Sequence, residues 1–323
     1  MTTARDLLRI FLNLVAMVIS LIPLGIAIAS LSQSEHHWPD LANHFVAPAL
    51  TACVAWTVVL AFIKLKPATV FAAIVTALLA TAAWPQWFPA QAKADPASEH
   101  TITVYSANLW ARNTDVAAMA ASIRKAQADV VLLVEVGDAP AADLDGLLPD
   151  HPHRVVSIVG NRNVAPARAV VASRWPLKPI RENTKDQLFS SAARIDTPLG
   201  RIGFMSAHLT RPWPYRDPSA QIIQIEDLAT ARQTLGHRAI IAGDFNSVSS
   251  GRIGRQVQAT TGLIPAPGFP GTWPAKLPSP LAITIDQVWH SSDLVLVERK
   301  LGQRNGSDHR PVITRYRLAK SGE

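Results

Sequence analysis

The sequence predicts a sheet-rich α+β domain that follows three membrane-spanning helices. Residues 1–100 contain three long stretches without Asp, Glu, Lys or Arg, whereas residues 101–323 contain many short apolar runs bounded by Gly, Pro, Asp or Asn. Only two stretches of that second part have helical periodicity. Strands that follow one another without a helix between them favour an α+β arrangement over a doubly wound sheet.

Charge is distributed unevenly along the chain. Of the 323 residues, 17% are charged and 48% are hydrophobic, and the net charge is +7. A soluble domain usually has about 25% charged residues. Residues 1–100 carry five basic and five acidic side chains, so the whole net charge lies in residues 101–323. This composition excludes a disordered chain and separates a neutral N-terminal third from a basic domain.

The N-terminal third has the composition of a membrane anchor. Its charge-free stretches are residues 10–34, 41–63 and 67–92. A helix needs about 20 apolar residues to cross a bilayer, and we predict spans at residues 7–31, 45–63 and 68–84. The alternatives are a cleaved signal peptide for the first segment, for which its apolar run is too long, and a buried helical domain, which such long charge-free runs disfavour.

The basic residues of the anchor predict its orientation. Arg5 and Arg9 precede the first span and Lys64 and Lys66 lie between the second and third, but residues 32–44 contain neither Lys nor Arg. The positive-inside rule therefore places the N-terminus in the cytoplasm. We expect a multi-pass protein of the inner (plasma) membrane, with its C-terminal domain on the periplasmic or extracellular side.

The remaining boundaries follow from composition. Residues 85–100 contain three prolines and no periodicity, which indicates a linker between an anchor at 1–84 and a C-terminal domain at 101–323. The single cysteine, Cys53, lies in the second span, so the domain has no disulfide or thiolate site.

Elements of the domain are predicted in chain order from apolar runs and periodicity. The runs that indicate strands are 102–107, 130–136, 155–159, 169–172, 192–195, 202–207, 239–242, 283–289, 294–297 and 312–316. Helices are predicted at 114–128 and 218–236. Residues 251–280 are rich in Gly, Pro and Ala and are expected to be irregular, either over the rim of the active site or as a solvated connection.

Polar side chains cluster at or just beyond the ends of these strands. They are Asn108, Glu135, His208, Asp244, Asn246, Asp286, Asp308 and His309. Strand ends can bring together side chains that are distant in sequence. Carboxylate and amide oxygens suit a hard divalent cation such as Mg²⁺, and imidazoles add acid–base groups.

This ordered set, with Gly243-Asp244-Phe245-Asn246 and Ser307-Asp308-His309, resembles the endonuclease/exonuclease/phosphatase superfamily, which includes DNase I. The resemblance covers about residues 101–318 and looks like a membrane-anchored bacterial branch. It implies a DNase I-like four-layer α/β sandwich, in which two packed, mostly antiparallel sheets are flanked by helices.

The resemblance also implies a metal site. Glu135, Asn108 and Asp308 match the positions that ligate the metal, which is expected to be Mg²⁺, with Mn²⁺ as an alternative. Some relatives carry another acidic residue after the first-strand Asn, where this chain has Leu109 and Trp110. We therefore expect one metal ion rather than two.

Catalytic roles are implied in the same way. Asp244 matches the aspartate that orients or deprotonates the attacking water, and Asn246 matches the amide that holds phosphate oxygens. His309 matches the histidine on the scissile phosphate, and Asp286 the carboxylate that polarises it. His208 matches the general acid of the DNase I branch.

A further phosphate contact is predicted from the loop after His208. Residues 211–216 contain two arginines and two aromatic rings. Arg211 is the candidate because a guanidinium binds phosphate oxygens well. The alternative is an ordinary surface loop whose aromatic rings pack on the domain or enter the membrane interface.

Three functions are compatible with these features. The favoured one is a membrane-anchored, Mg²⁺-dependent hydrolase of a phosphorylated lipid or other envelope-associated phosphoester, such as an isoprenoid pyrophosphate. The second is an extracytoplasmic nuclease acting on DNA or RNA, because a basic domain attracts nucleic acid. The third, an inactive membrane adaptor, is disfavoured by the intact motifs. The expected partners are the bilayer and a phosphorylated lipid or small molecule; no protein partner is implied.

Overall fold

The computed structural model describes residues 3–96, 98–158, 167–181, 188–212 and 219–320. In this structure two six-stranded sheets pack face to face, and helices cover their outer faces. The predicted α+β class and the four-layer arrangement are confirmed.

The elements follow in chain order. The anchor helices are α1 (Ala4–Ile19), α2 (Leu21–Leu31), α3 (His37–Asn43), α4 (Val46–Phe62) and α5 (Lys66–Trp87). The domain helices are α6 (Val116–Ala126), α7 (Asp138–Ala142), α8 (Leu144–Leu147), α9 (Ser219–Leu235) and α10 (Arg252–Thr261). The strands are β1 (Ile102–Asn108), β2 (Val130–Val136), β3 (His153–Val156), β4 (Arg168–Ser173), β5 (Leu177–Arg181), β6 (Phe189–Thr197), β7 (Gly200–His208), β8 (Ala239–Asp244), β9 (Ile264–Pro265), β10 (Asp286–His290), β11 (Leu294–Leu301) and β12 (Val312–Leu318).

The two sheets have the same internal arrangement. Their strand orders are β11-β12-β1-β2-β4-β3 and β5-β6-β7-β8-β10-β9. Each sheet contains one parallel pair, β1 with β2 and β7 with β8, and its other pairings are antiparallel. Because parallel strands end at the same edge of a sheet, the carboxyl ends of β1, β2, β7 and β8 can build one site.

Three apolar layers hold the sandwich together. The core between the sheets includes Val104, Leu132, Phe204, Ile240 and Val288, all nearly inaccessible to solvent. The outer face of the first sheet packs against α6 and α8, and that of the second against α9 and α10. Burying large side chains on both faces of both sheets makes the strand ends a rigid support.

Two expectations about the domain were wrong. The segment 251–280 was expected to be irregular, but α10 occupies Arg252–Thr261. Its buried Ile253 and Val257 are one helical turn apart, and Gly262 ends it in the left-handed conformation with φ 67°. The predicted strands also omitted β5, which contains Pro179 and lies at an edge of the second sheet, where a missing N–H is tolerated.

The anchor contains two helical segments long and apolar enough to cross a membrane, Ala4–Leu31 and Lys66–Trp87. The predicted span 45–63 forms α4, whose 17 residues extend only about 26 Å. It reaches spanning length when taken with α3, to which it is joined at an angle of 54°. The last helix continues through Pro85 to Trp87, into the predicted linker.

The four basic anchor residues and the domain lie at opposite ends of the helices. At one end the guanidinium of Arg9 donates to the carbonyl oxygen of Lys64 over 3.2 Å. At the other end, the backbone N–H of Gly268 donates to the carbonyl of Gln86 over 2.7 Å. The predicted linker also packs on the domain, where Ala94 forms an antiparallel bridge with Ala319.

Candidate active site

Four of the predicted residues meet at the carboxyl ends of the two parallel strand pairs. The amide nitrogen of Asn108 donates to Glu135 Oε1 over 2.9 Å and to Asp244 Oδ2 over 3.0 Å. The Nε2 atom of His208 lies 3.2 Å from the same Glu135 oxygen and 3.6 Å from the same Asp244 oxygen. Two carboxylates from different sheets therefore share one amide and one imidazole.

Unusual backbone conformations aim these side chains at one another. Glu135 has φ 51°, and it lies where the register between β2 and β4 shifts. Such a bulge turns a side chain that strict alternation would direct elsewhere. Gly243 has φ 148°, and a Cβ there would collide with the Ala207 carbonyl oxygen. Only glycine therefore allows β8 to lie this close to β7 at the site.

Asp244 also contacts a second buried group. The Nδ1 atom of His309 lies 2.9 Å from Asp286 Oδ2, and its Nε2 atom lies 3.8 Å from Asp244 Oδ2. All three side chains are almost completely buried. A carboxylate on Nδ1 fixes the imidazole so that Nε2 faces the reaction centre.

Burial and pairing decide the charges in this cluster. Burial by itself lowers the pKa of His309, but the carboxylates of Asp286 and Asp244 raise that pKa to about 9. In the same way, Asp244 and Glu135 outweigh burial and raise the pKa of His208 to about 10. Burial opposes ionisation of Asp244, yet His309 and His208 lower the pKa of that carboxyl. Burial raises the pKa of Asp286, whereas the contacts favour the ionised forms of Asp244, His208 and His309.

The remaining predicted residues lie around this centre. Asn246 donates from its backbone N–H to Asp244 Oδ1 over 2.8 Å and from its side chain to the Leu209 carbonyl oxygen over 2.8 Å. Arg211 is half-buried in the loop directly after β7. Residues 213–216, which complete the predicted phosphate-binding loop, lie outside the described residues.

Asp308 lies beside His309. Its Oδ1 atom is 4.0 Å from His309 Nε2, and its Oδ2 atom accepts a hydrogen bond of 3.2 Å from Trp273 Nε1. The Trp273 ring lies 6.4 Å from the imidazole of His309. Sequence reasoning missed Trp273 because nothing in a Gly- and Pro-rich segment distinguishes it from a packing residue.

The donor set fits a hard divalent cation. Ligand atoms of Glu135, His208 and Asp244 lie within 4.8 Å of one another, and so do those of Asp244, Asp286 and His309. Asp308 Oδ1, a buried carboxylate oxygen among the described residues, has no aligned hydrogen-bond partner. Carboxylate oxygens left without donors are what Mg²⁺ takes as ligands.

Comparison with known proteins identifies the family. A family model described as endonuclease/exonuclease/phosphatase family matches residues 105–309, more than half of the chain. The chain belongs to the endonuclease/exonuclease/phosphatase family. Members of this family are metal-dependent phosphoesterases and nucleases, so this family member is a hydrolase of phosphoester bonds.

Solved structures agree with the fold of this endonuclease/exonuclease/phosphatase protein. The family protein from Beutenbergia cavernae DSM 12333 matches with 21% identity and TM-score 0.55, over 69% of this chain and 73% of that one. The one from Bacteroides vulgatus matches with 13% identity and TM-score 0.56, over 68% and 100%. The human Nocturnin catalytic domain with bound sulfate anion matches with 15% identity and TM-score 0.53, over 71% and 97%. No curated protein matches the chain.

The N-terminal helices of this family member contact the candidate catalytic turn, Asp244–Asn246, directly. The Nε2 atom of His44, between α3 and α4, lies 3.2 Å from the carbonyl oxygen of Asn246, and its Nδ1 atom lies 3.0 Å from that of Asp40. Carbonyl oxygens only accept, so in these contacts His44 can act only as a donor. Asp40 in turn accepts from the backbone N–H of Arg252 over 2.7 Å.

We expect His44→Ala to lower kcat by roughly tenfold, because small displacements of a catalytic turn are costly. The variant leaves the Asn246 carbonyl with a longer contact of 3.4 Å to Gln221. His44→Gln restores one donor and should recover part of the loss. His100→Ala, at an exposed histidine, is the control. Equal kcat in the two alanine variants would contradict a positioning role for His44.

Proposed function

We propose that this protein hydrolyses the phosphoester or pyrophosphate of a membrane lipid, with its catalytic domain outside the cytoplasm. The contact between His44 and Asn246 carries the proposal. Since α4 begins at Val46, the catalytic turn lies at the end of a membrane helix. A substrate whose phosphate is at the bilayer surface would meet the site there.

The rim of the site supports the same substrate class. The hydroxyl of Thr51, in α4, donates to the carbonyl oxygen of Pro280 over 2.8 Å. Pro280 belongs to the rim segment, residues 268–281. In this segment the side chains of Phe269 and Leu277 are each 42% exposed and that of Leu281 is 38% exposed. Exposed apolar side chains beside membrane helices suit the interface between headgroups and hydrocarbon. The same segment contains Trp273, which contacts Asp308 beside the catalytic imidazole.

The positions of the basic residues support the orientation. Arg9 contacts the connection that contains Lys64, at the end of the helices away from the domain. Basic loops stay in the cytoplasm, so the domain at the opposite end would lie outside it. A reporter fused after residue 320 that is active only in the cytoplasm would contradict this orientation.

We assign each site residue a proposed role that its contacts support. Asp244, held as a carboxylate, would take a proton from the water that attacks phosphorus. His309, held by Asp286, would stabilise the charge that develops on the phosphoryl oxygens. His208 keeps its proton at neutral pH, since its pKa is about 10, and would pass it to the leaving oxygen as the phosphorus–oxygen bond breaks. Asn246 and Arg211 are proposed to hold phosphate oxygens.

Glu135, Asn108 and Asp308 are proposed to form the metal site, with Mg²⁺ as the ion and Mn²⁺ as an alternative. Asn108 binds both Glu135 and Asp244, so it would orient the carboxylates. When bound, the cation supplies positive charge against the phosphate oxygens.

Metal removal gives the first test of the proposed function. We expect the full-length protein in detergent to release inorganic phosphate from an isoprenoid pyrophosphate with Mg²⁺ present. EDTA should abolish release, and excess Mg²⁺ should restore it, because the carboxylates need a cation to bind an anionic substrate. Release that persists unchanged in EDTA would contradict a divalent metal requirement.

Nucleic acid is the second candidate substrate, favoured by the 26 basic against 19 acidic residues of the domain. The discriminating experiment compares a lipid pyrophosphate, a phospholipid and plasmid DNA under the same Mg²⁺ conditions and at low salt. Phosphate release from the lipid without plasmid nicking would support the proposed function. Nicking without any lipid hydrolysis would replace that function with nuclease activity.

A further inference from the structure

An apolar groove lies between the first two membrane segments. Its volume is about 490 Å³, within the usual range of roughly 300–1,000 Å³ for small-molecule sites. On one side it is lined by Ile19, Ile22 and Ile26, and on the other by Ala49, Ala52 and Trp56. None of its lining residues is charged.

The groove runs along α4 from Trp56 to Phe45. At one end the indole N–H of Trp56 donates to the hydroxyl of Ser20 over 3.2 Å, which links α4 to the break between α1 and α2. At the other end it is lined by Phe45, the neighbour of His44, which contacts the Asn246 carbonyl. Phe45 and Trp56 are separated by about 16 Å along α4, at about 1.5 Å a residue.

We propose that this groove binds a hydrocarbon chain of the lipid substrate while the phosphate of the same molecule lies at the Asp244 site. This inference rests on the proposed function. The position of Phe45 identifies the occupant: it lines the groove, and its neighbour in the chain, His44, contacts the Asn246 carbonyl oxygen. A lipid whose phosphate reaches Asp244 has its chain at this end of α4.

Packing of the lipid chain in the groove would orient the substrate rather than raise its affinity for the protein. The chain of a membrane lipid is already surrounded by hydrocarbon, so transfer into the groove gains little from the hydrophobic effect. What the groove adds is van der Waals contact on several sides, which restricts the chain and hence the phosphate attached to it. The small side chains of Ala49 and Ala52 leave room for the chain.

The test fills the groove and compares substrates that share one headgroup. Ala52→Phe places a ring in the groove; Ala55→Phe, on the same helix at an exposed position outside the groove, is the matched control. Full-length variants are assayed with a long-chain isoprenoid pyrophosphate and a short, water-soluble one. We expect Ala52→Phe to lower kcat/KM for the long substrate by roughly tenfold or more, with the short substrate unaffected. Ala55→Phe should leave both values unchanged.

The outcomes separate this inference from the proposed function. If Ala52→Phe hydrolyses the long substrate as the wild type does, the groove inference is wrong and the proposed function stands. If the wild type hydrolyses neither a long-chain pyrophosphate nor any other lipid phosphoester, both are wrong.

A second measurement tests the groove inference if the Ala52→Phe variant fails to fold. A long-chain substrate analogue with a photoreactive chain is crosslinked to the wild-type protein, and the modified residues are mapped by mass spectrometry. Crosslinks to the groove residues that no longer form when unlabelled substrate is in excess support the inference. Labels elsewhere, or equal labelling by a phospholipid probe, overturn it.

Discussion

Replacement of Asp244 by Asn is expected to reduce kcat by roughly a thousandfold, the scale of losing a general base. Asp244 Oδ2 is the one atom that contacts Asn108, His208 and His309. The substitution keeps the size of the side chain but removes the charge that pairs with both imidazoles. The water would lose its proton acceptor, and the cation would lose a neighbouring carboxylate.

Phosphate release from the lipid substrate, with burst and steady-state phases resolved, measures this effect. Glu226→Gln, at an exposed carboxylate of α9, is the matched control and should keep wild-type kcat. The thermal unfolding midpoint of both variants shows whether the fold is retained. A loss of less than about tenfold in a folded Asp244→Asn protein would exclude the role of proton acceptor.

His309→Gln is expected to have a comparable effect, with kcat lower by roughly a hundred- to a thousandfold. The imidazolium is held by Asp286 at 2.9 Å, and glutamine cannot carry its charge. Asp286→Asn should lower kcat by a smaller factor, because the imidazole remains but loses the carboxylate that fixes its tautomer and charge. The double variant should be only slightly slower than His309→Gln, since the pair acts as a unit.

The pH profile distinguishes this role from a structural one. Asp286 and Asp244 together raise the pKa of His309 to about 9, so His309 stays protonated below that pH and loses its charge above it. Without the Asp286 carboxylate the pKa of His309 falls. The alkaline limb of kcat in Asp286→Asn should therefore move to lower pH. An unchanged alkaline limb with lowered kcat would indicate that Asp286 acts only through packing.

Much of the domain could be predicted because its signals are local. Apolar runs bounded by turn residues identified most of the strands, and the helices predicted at 114–128 and 218–236 appear as α6 and α9. The site residues were found for the same reason: Asn108, His208 and Asp244 each end a strand. Charge-free stretches likewise predicted the anchor helices.

Other features depend on tertiary packing or on the backbone conformation of single residues. The helix α10 has only ten residues, and its end depends on the left-handed Gly262. The left-handed conformation of Glu135 and the bulge beside it arise from the pairing of β2 with β4. Trp273 reaches Asp308 only because the rim segment folds back over the site.

The sequence by itself determined the family, the types of residue in the site and the presence of an apolar anchor. Each of these depends on short motifs or on composition, which can be read without knowing what they contact. Only the tertiary structure decided that the anchor touches the catalytic turn, through His44 on Asn246 and Asp40 on Arg252. The residues of each pair are far apart in the chain, so the packing of the two parts, rather than any repeat in the sequence, brings them together.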